Sequence, residues 1–167
     1  MTGEKSSPLT DREELAECAE AVAWLATHRT ITPVHVSKVK TDRQIRKVLS
    51  NIVRLRSKTA PVLYFSSESR AGNEKIDKDH IVPVRALVDR MIMNPDDCKT
   101  ILDSVVLAEI TKSEHKRLGG LWSDHKDAYA RMLTSPVDQL VAIGLERYAN
   151  AGLVLQSIGS RMRTGES

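Results

Sequence analysis

Aromatic residues are scarce in this chain of 167 residues: two Trp, three Tyr and one Phe, 4% of the whole. So few rings cannot supply the repeated stacking platforms on which single-stranded RNA or DNA is held base by base. Cysteine is scarcer still. Cys18 and Cys98 match no paired zinc or redox spacing, which excludes a cysteine zinc knuckle and a disulfide framework and suits a reducing cytoplasm. Long apolar runs are absent: no stretch approaches the roughly 18 consecutive apolar residues of a membrane-spanning helix. The polar start MTGEKSSPLTDREEL carries no apolar segment of a secretory signal. There is no glycine-rich phosphate loop, no nucleophile elbow and no HExxH, so nucleoside-triphosphate, serine-hydrolase and zincin chemistries have no motif. The expectation is a cytoplasmic protein with no membrane partner.

What is present is ordinary globular material, 41% hydrophobic and 28% charged in 18.6 kDa. That is one domain's worth of chain, with enough apolar residues to bury a core without metal or disulfide staples. The expected division is a flexible arm over 1–9, a single globular domain over 10–158 and a flexible tail over 159–167. Capping-box spacings of Thr10 with Glu13, Thr41 with Gln44 and Thr111 with Glu114 predict three helix starts. The first helix runs to about His28, followed by an extended segment over 31–39. The second covers 42–57, with Ile45, Val48, Leu49, Ile52 and Leu55 as its apolar stripe.

Strands are predicted over 61–66, 79–84, 105–110 and 153–158, with a loop over 66–78. Further helices are predicted over 85–93, after an Asn94 cap with Pro95 at the first position, over 124–133, and from Ser135-Pro136 to about Asn150. Gly152 follows as the residue that stops the last one. Trp24 and Trp122 read as core residues, and 146–152 as a helix end with no chemical role. The fold class is therefore α+β and predominantly helical: several capped helices around a small sheet or β-hairpin.

Charge is unevenly distributed. The chain carries +3 overall, yet between Lys38 and Lys58 eight basic residues face Asp42 alone, a local +7 that leaves −4 for the rest. Arg43, Arg46, Lys47, Arg54, Arg56 and Lys58 on the second helix read as an electrostatic footprint for a nucleic-acid backbone. The other readings are a solvated helix face or a dock for an acidic protein partner.

Of five histidines, His80 and His115 stand out. His80 lies in Asp79-His80-Ile81-Val82-Pro83, and His115 lies one turn into a capped helix after the apolar run 105–110. The pair DHIVP at 79–83 and VVLAEITKSEH at 105–115 resembles the HNH, or ββα-metal, nuclease superfamily. The resemblance covers about a quarter of the chain. It implies a divalent-metal-dependent endonuclease holding one Mg²⁺ or Mn²⁺, with Asp79 and His115 as metal ligands and His80 as general base. The chemistry explains the types: a hard cation takes a carboxylate and an imidazole on separate elements, and a neutral histidine takes a proton from water. Arg85, Lys116 and Arg117 fall near both motifs and would hold phosphates.

The chain departs from the family in three places. Asp103 or Ser104 stands where the family usually has Asn. Gly119 stands where one subgroup has a second helix histidine, and the stretch 85–104 is longer than the usual loop. The expected function is thus an HNH-like hydrolase acting on nucleic acid, DNA favoured over RNA. The alternative is a non-enzymatic binding or regulatory protein using its basic face. A third reading is a structural subunit whose apolar helices pack in an oligomer. In the non-enzymatic reading the DHIVP segment is structural, with Asp79 and His80 making only local hydrogen bonds.

Overall fold

The computed structural model describes residues 38–72, 74–119 and 126–158. The arm, the helix from Thr10, most of the extended segment, both tryptophans and the tail lie outside the described residues. The protein is α+β and mainly helical. In chain order the elements are α1 (Lys38–Thr59), β1 (Val62–Ser66), α2 (Ser67–Ala71), β2 (Ile76–His80), α3 (Val84–Met93), α4 (Cys98–Asp103), β3 (Leu107–Thr111), α5 (Lys112–Gly119), α6 (Lys126–Thr134), α7 (Leu140–Asn150) and β4 (Leu155–Ser157). Among the described residues no helix is long and apolar enough to cross a membrane.

Several boundaries differ from those read in the sequence, each for a local reason. The second helix is already running at Lys38, so Thr41 is inside it; no proline or glycine separates Lys38 from Asp42 to break the helix there. The loop expected over 66–78 holds a short helix. The Ser66 hydroxyl caps it by accepting from the Ser69 amide at 3.0 Å, and Gly72 closes it at φ 74°, where a side chain would be strained. Asn94 makes no side-chain cap; a 3₁₀ turn over Pro95–Asp97 leads into α4 instead.

The strand expected over 79–84 lies several residues earlier. β2 occupies Ile76–His80, and Ile81, Val82 and Pro83 turn into α3. Ile81 and Val82 are apolar because they are buried by packing, at 0% and 2% exposure, not because they lie in a sheet.

The sheet order is β2-β3-β1-β4. β1 and β3 are parallel, while β2 is antiparallel to β3 and β4 is antiparallel to β1. Thr111 and Glu114 form the capping box that the sequence predicts: the Thr111 amide donates to Glu114 Oε2 at 2.7 Å and the Glu114 amide donates to Thr111 Oγ1 at 3.3 Å. The same buried Glu114 oxygen accepts from Ser66 Oγ at 2.6 Å, tying the end of β1 to the start of α5.

Among the described residues two apolar cores result. One gathers Ile45, Leu49, Ile52 and Val53 of α1 with residues of α3, α4, α6 and α7. The other joins Ala108 and Ile110 of β3, Leu118 of α5 and Tyr148 of α7. Ile81 enters the second and Val82 the first, so the two cores meet at consecutive residues just after His80.

Candidate functional site

β2, β3 and α5 form an antiparallel strand pair followed by a helix, with α3 and α4 inserted between the strands. Side chains alternate along a strand, so Asp77 and Asp79 share one face of β2. That face meets α5. His115 Nδ1 lies 3.2 Å from Asp77 Oδ2, and His115 Nε2 lies 3.6 Å from Asp79 Oδ1. The two residues expected to share a cation therefore sit side by side.

Asp79 is held from behind. Its Oδ2 accepts a hydrogen bond from the Arg147 guanidinium and another from Tyr148 Oη at 2.5 Å. Arg147 Nη2 also donates to the His80 carbonyl at 3.0 Å, so α7 grips both residues that end β2. Burial, then the neighbouring Asp79 charge, pushes the Tyr148 phenol well above its ordinary range, so it stays a hydrogen-bond donor at any working pH.

His80 points from the other face of β2, towards α1, where Nε2 lies 2.5 Å from Ser57 Oγ. Its pKa falls below the ordinary histidine value. Burial is the largest cause; the Arg147 and Arg54 charges add to it, and Asp79 opposes it. A neutral imidazole at neutral pH is the form that can accept a proton. Asp79, His80, His115 and Arg147 together border one cavity of about 190 Å³, with Pro83, Val84, Leu118 and Gly119 completing its wall.

Asp79 and His115 are two donors, short of the protein ligands that would close a cage around a cation. Among the described residues no group of three or more His, Cys, Asp or Glu side chains gathers to hold a metal. Asp79 Oδ1 and His115 Nε2 supply two ligands of the kinds a small divalent ion takes. Adjacent ligands of an octahedral ion at about 2.1 Å stand roughly 3 Å apart, close to the separation here. Such ions ordinarily complete their shells with water and substrate phosphate.

Asp103 and Ser104, one of which the resemblance would place where Asn is usual, are engaged elsewhere. Asp103 pairs with Lys99 at 2.7 Å, and the Ser104 hydroxyl donates to the Ile101 carbonyl at 2.7 Å.

The basic helix borders this site. At 100° per residue, Arg43, Lys47, Arg54 and Lys58 fall within about 60° of arc and span about 22 Å of α1. All four are exposed, opposite the buried Ile45, Leu49 and Ile52. Arg54 lies close enough to His80 for its charge to act on the ring. Arg46 and Arg56 leave the stripe: Arg46 donates to Asp89 of α3, and Arg56 to Thr59 Oγ1 at 2.9 Å. Arg85 is exposed beside the site, its guanidinium 5.8 Å from the Tyr129 ring centre and its Nε 3.8 Å from Asp89. Arg117 reaches Glu68 at 3.7 Å.

Comparison with protein-family models, with curated proteins and with solved structures gave no match. The site's meaning rests on its own chemistry.

Proposed function

We propose that this chain is an HNH-like protein acting on nucleic acid, a divalent-metal-dependent phosphodiester hydrolase. One observation carries the reading: Asp79 and His115, from an antiparallel strand pair and the helix after it, stand 3.6 Å apart at a cavity that His80 also borders. Asp79 Oδ1 and His115 Nε2 would hold Mg²⁺ or Mn²⁺, which when bound supplies Lewis-acid stabilisation of phosphoryl oxygens.

The chain's own residues do the rest. His80, kept neutral by burial and by flanking cations, takes a proton from the attacking water. Arg147 and Tyr148 hold Asp79 and the end of β2 in place. The Arg43, Lys47, Arg54 and Lys58 stripe seats a phosphate backbone and delivers it towards the cavity. DNA is the proposed substrate, and the row of cations would meet the regular phosphate backbone of a duplex without reading its bases.

The test is incubation of supercoiled plasmid with the full chain in Mg²⁺, Mn²⁺ or EDTA. Nicking with metal and none with EDTA is expected, and His80→Ala should lower the rate at least about 100-fold, the usual contribution of a general base. Equal cleavage by the variant overturns the catalytic assignment.

Binding is measured separately. In Arg43→Gln/Lys47→Gln, the slope of log affinity against log salt on duplex DNA should flatten by about two, one for each lost phosphate contact. An unchanged slope removes α1 from the interface. Salt-dependent binding with no cleavage under any metal would favour the non-enzymatic reading, because Arg147 and Tyr148 already occupy half of the Asp79 carboxylate.

A further inference from the structure

Ser57 is half-buried near the end of α1, two residues before Thr59, and its hydroxyl makes two hydrogen bonds. It lies 2.6 Å from the Val53 carbonyl, one turn back along the helix, and 2.5 Å from His80 Nε2. A hydroxyl has one hydrogen, and a carbonyl oxygen can only accept. The hydrogen therefore goes to Val53, the ordinary back-bond of a helical serine. Towards His80 the Ser57 oxygen is left as an acceptor. A nitrogen that faces an acceptor must itself carry the hydrogen, so Nε2 is the N–H of the ring. In the neutral imidazole the other nitrogen, Nδ1, then keeps the lone pair.

We propose that Ser57 is a positioning residue: through the Val53 carbonyl it fixes His80 in the Nε2–H tautomer and leaves the ring's lone pair on Nδ1. The choice is imposed by the helix, not by the strand that carries the histidine. Val53 is fully buried, and Ile52 beside it is in the same core, so the carbonyl that orients the hydroxyl has a fixed position. Asp103 and Ser104 do not compete for the role, since both are engaged locally. The histidine is thus held on two sides. Its backbone carbonyl is gripped by Arg147 of α7, and its Nε2 is gripped by Ser57 of α1. The catalytic consequence rests on the nuclease reading, but the tautomer does not.

The experiment uses the full chain labelled with ¹⁵N at histidine, with the His80 signals assigned by their loss in His80→Ala. Long-range proton–nitrogen correlation spectra distinguish a protonated from an unprotonated ring nitrogen, and so report the tautomer directly. In the native chain Nε2 should read as protonated and Nδ1 as bare. In Ser57→Ala the two nitrogen shifts should move towards each other as the second tautomer becomes populated, and in Ser57→Thr, which restores the hydroxyl, they should return. Backbone amide spectra of each variant check that the fold is kept.

If the plasmid assay is positive, Ser57→Ala should lower kcat about 10- to 100-fold with KM within about twofold, the size expected when the partner that orients a reacting group is removed. A bare Nε2 in the native chain, or Ser57→Ala spectra identical to native in a folded protein, would overturn the proposal. Shifts that respond to Ser57 in a chain that cleaves nothing would support the positioning role and sink the nuclease reading instead.

Discussion

Replacing Arg147 with methionine is expected to destabilise the protein by about 3 kcal/mol, the lower end of the range for breaking a buried ion pair from one side. The side chains of Arg147 and Asp79 are only 6% and 13% exposed. Methionine keeps much of the volume but leaves the largely buried Asp79 carboxylate with Tyr148 and His115 and without the guanidinium that balances its charge, and it also abandons the His80 carbonyl that Arg147 Nη2 satisfies. An uncompensated charge in such a place lacks most of the water that would otherwise solvate it.

The prediction has an internal control. Removing the charge as well, in Asp79→Asn/Arg147→Met, should recover part of the loss, giving a coupling of about 1–3 kcal/mol between the two sites. Urea unfolding of the four proteins measures it. Additive single effects would mean that Arg147 acts by packing alone.

The second large effect is expected at Gly144. A Cβ there would stand 2.5 Å from the Ile81 carbonyl oxygen and 2.9 Å from both its carbonyl carbon and its Cγ2. Two opposing terms decide the sign. Alanine is favoured over glycine inside a helix by up to about 1 kcal/mol. Overpacking a tight core costs about 1–3 kcal/mol and sometimes more. The contact is with backbone, at a residue that is fully buried and whose amide donates to the Val106 carbonyl at 3.1 Å, so neither side can give way cheaply. We expect Gly144→Ala to lose about 2 kcal/mol net, read as a lower urea midpoint with an unchanged slope. Because Arg147 and Tyr148 lie one turn further along α7, a helix pushed off Ile81 should also loosen their hold on Asp79. A variant as stable as the native chain would show that α7 does not pack against the DHIVP turn as described.

Much of this architecture is legible in the order of the residues. The capping box at Thr111 and Glu114, the Ile45, Leu49 and Ile52 part of the apolar stripe of α1 and the glycine that ends α7 each have a local cause, and local causes are visible in sequence; Val48 and Leu55, expected in the same stripe, are exposed instead, at 43% and 50%. Asp79, His80 and His115 stand out because two short motifs fall at a strand end and in the first turn of a capped helix. β2 is not legible, because Ile76-Asp77-Lys78-Asp79-His80 has one apolar residue and no alternation; pairing with β3, not propensity, makes it a strand.

Arg147 does carry a signal, though its stretch reads at first as a plain helix end. The buried face of α7 is Leu140, Ile143, Gly144, Arg147 and Tyr148, at i, i+3, i+4, i+7 and i+8. An arginine on that register cannot reach water easily and must have a buried partner. Ser57 carries none. A serine among basic residues on an amphipathic helix says nothing about a histidine 23 positions away, and only the crossing of α1 past the end of β2 joins them.

The meeting of the two cores at Ile81 and Val82 bears on how the protein comes apart. Subglobal opening normally lets one cooperative unit unfold while another persists. Here a single peptide link is buried in both units, one residue beyond His80. Fraying of either half pulls on that link, so the cavity has no lifetime independent of the whole fold. The arrangement of Asp79, His80 and His115 and the global stability should therefore rise and fall together.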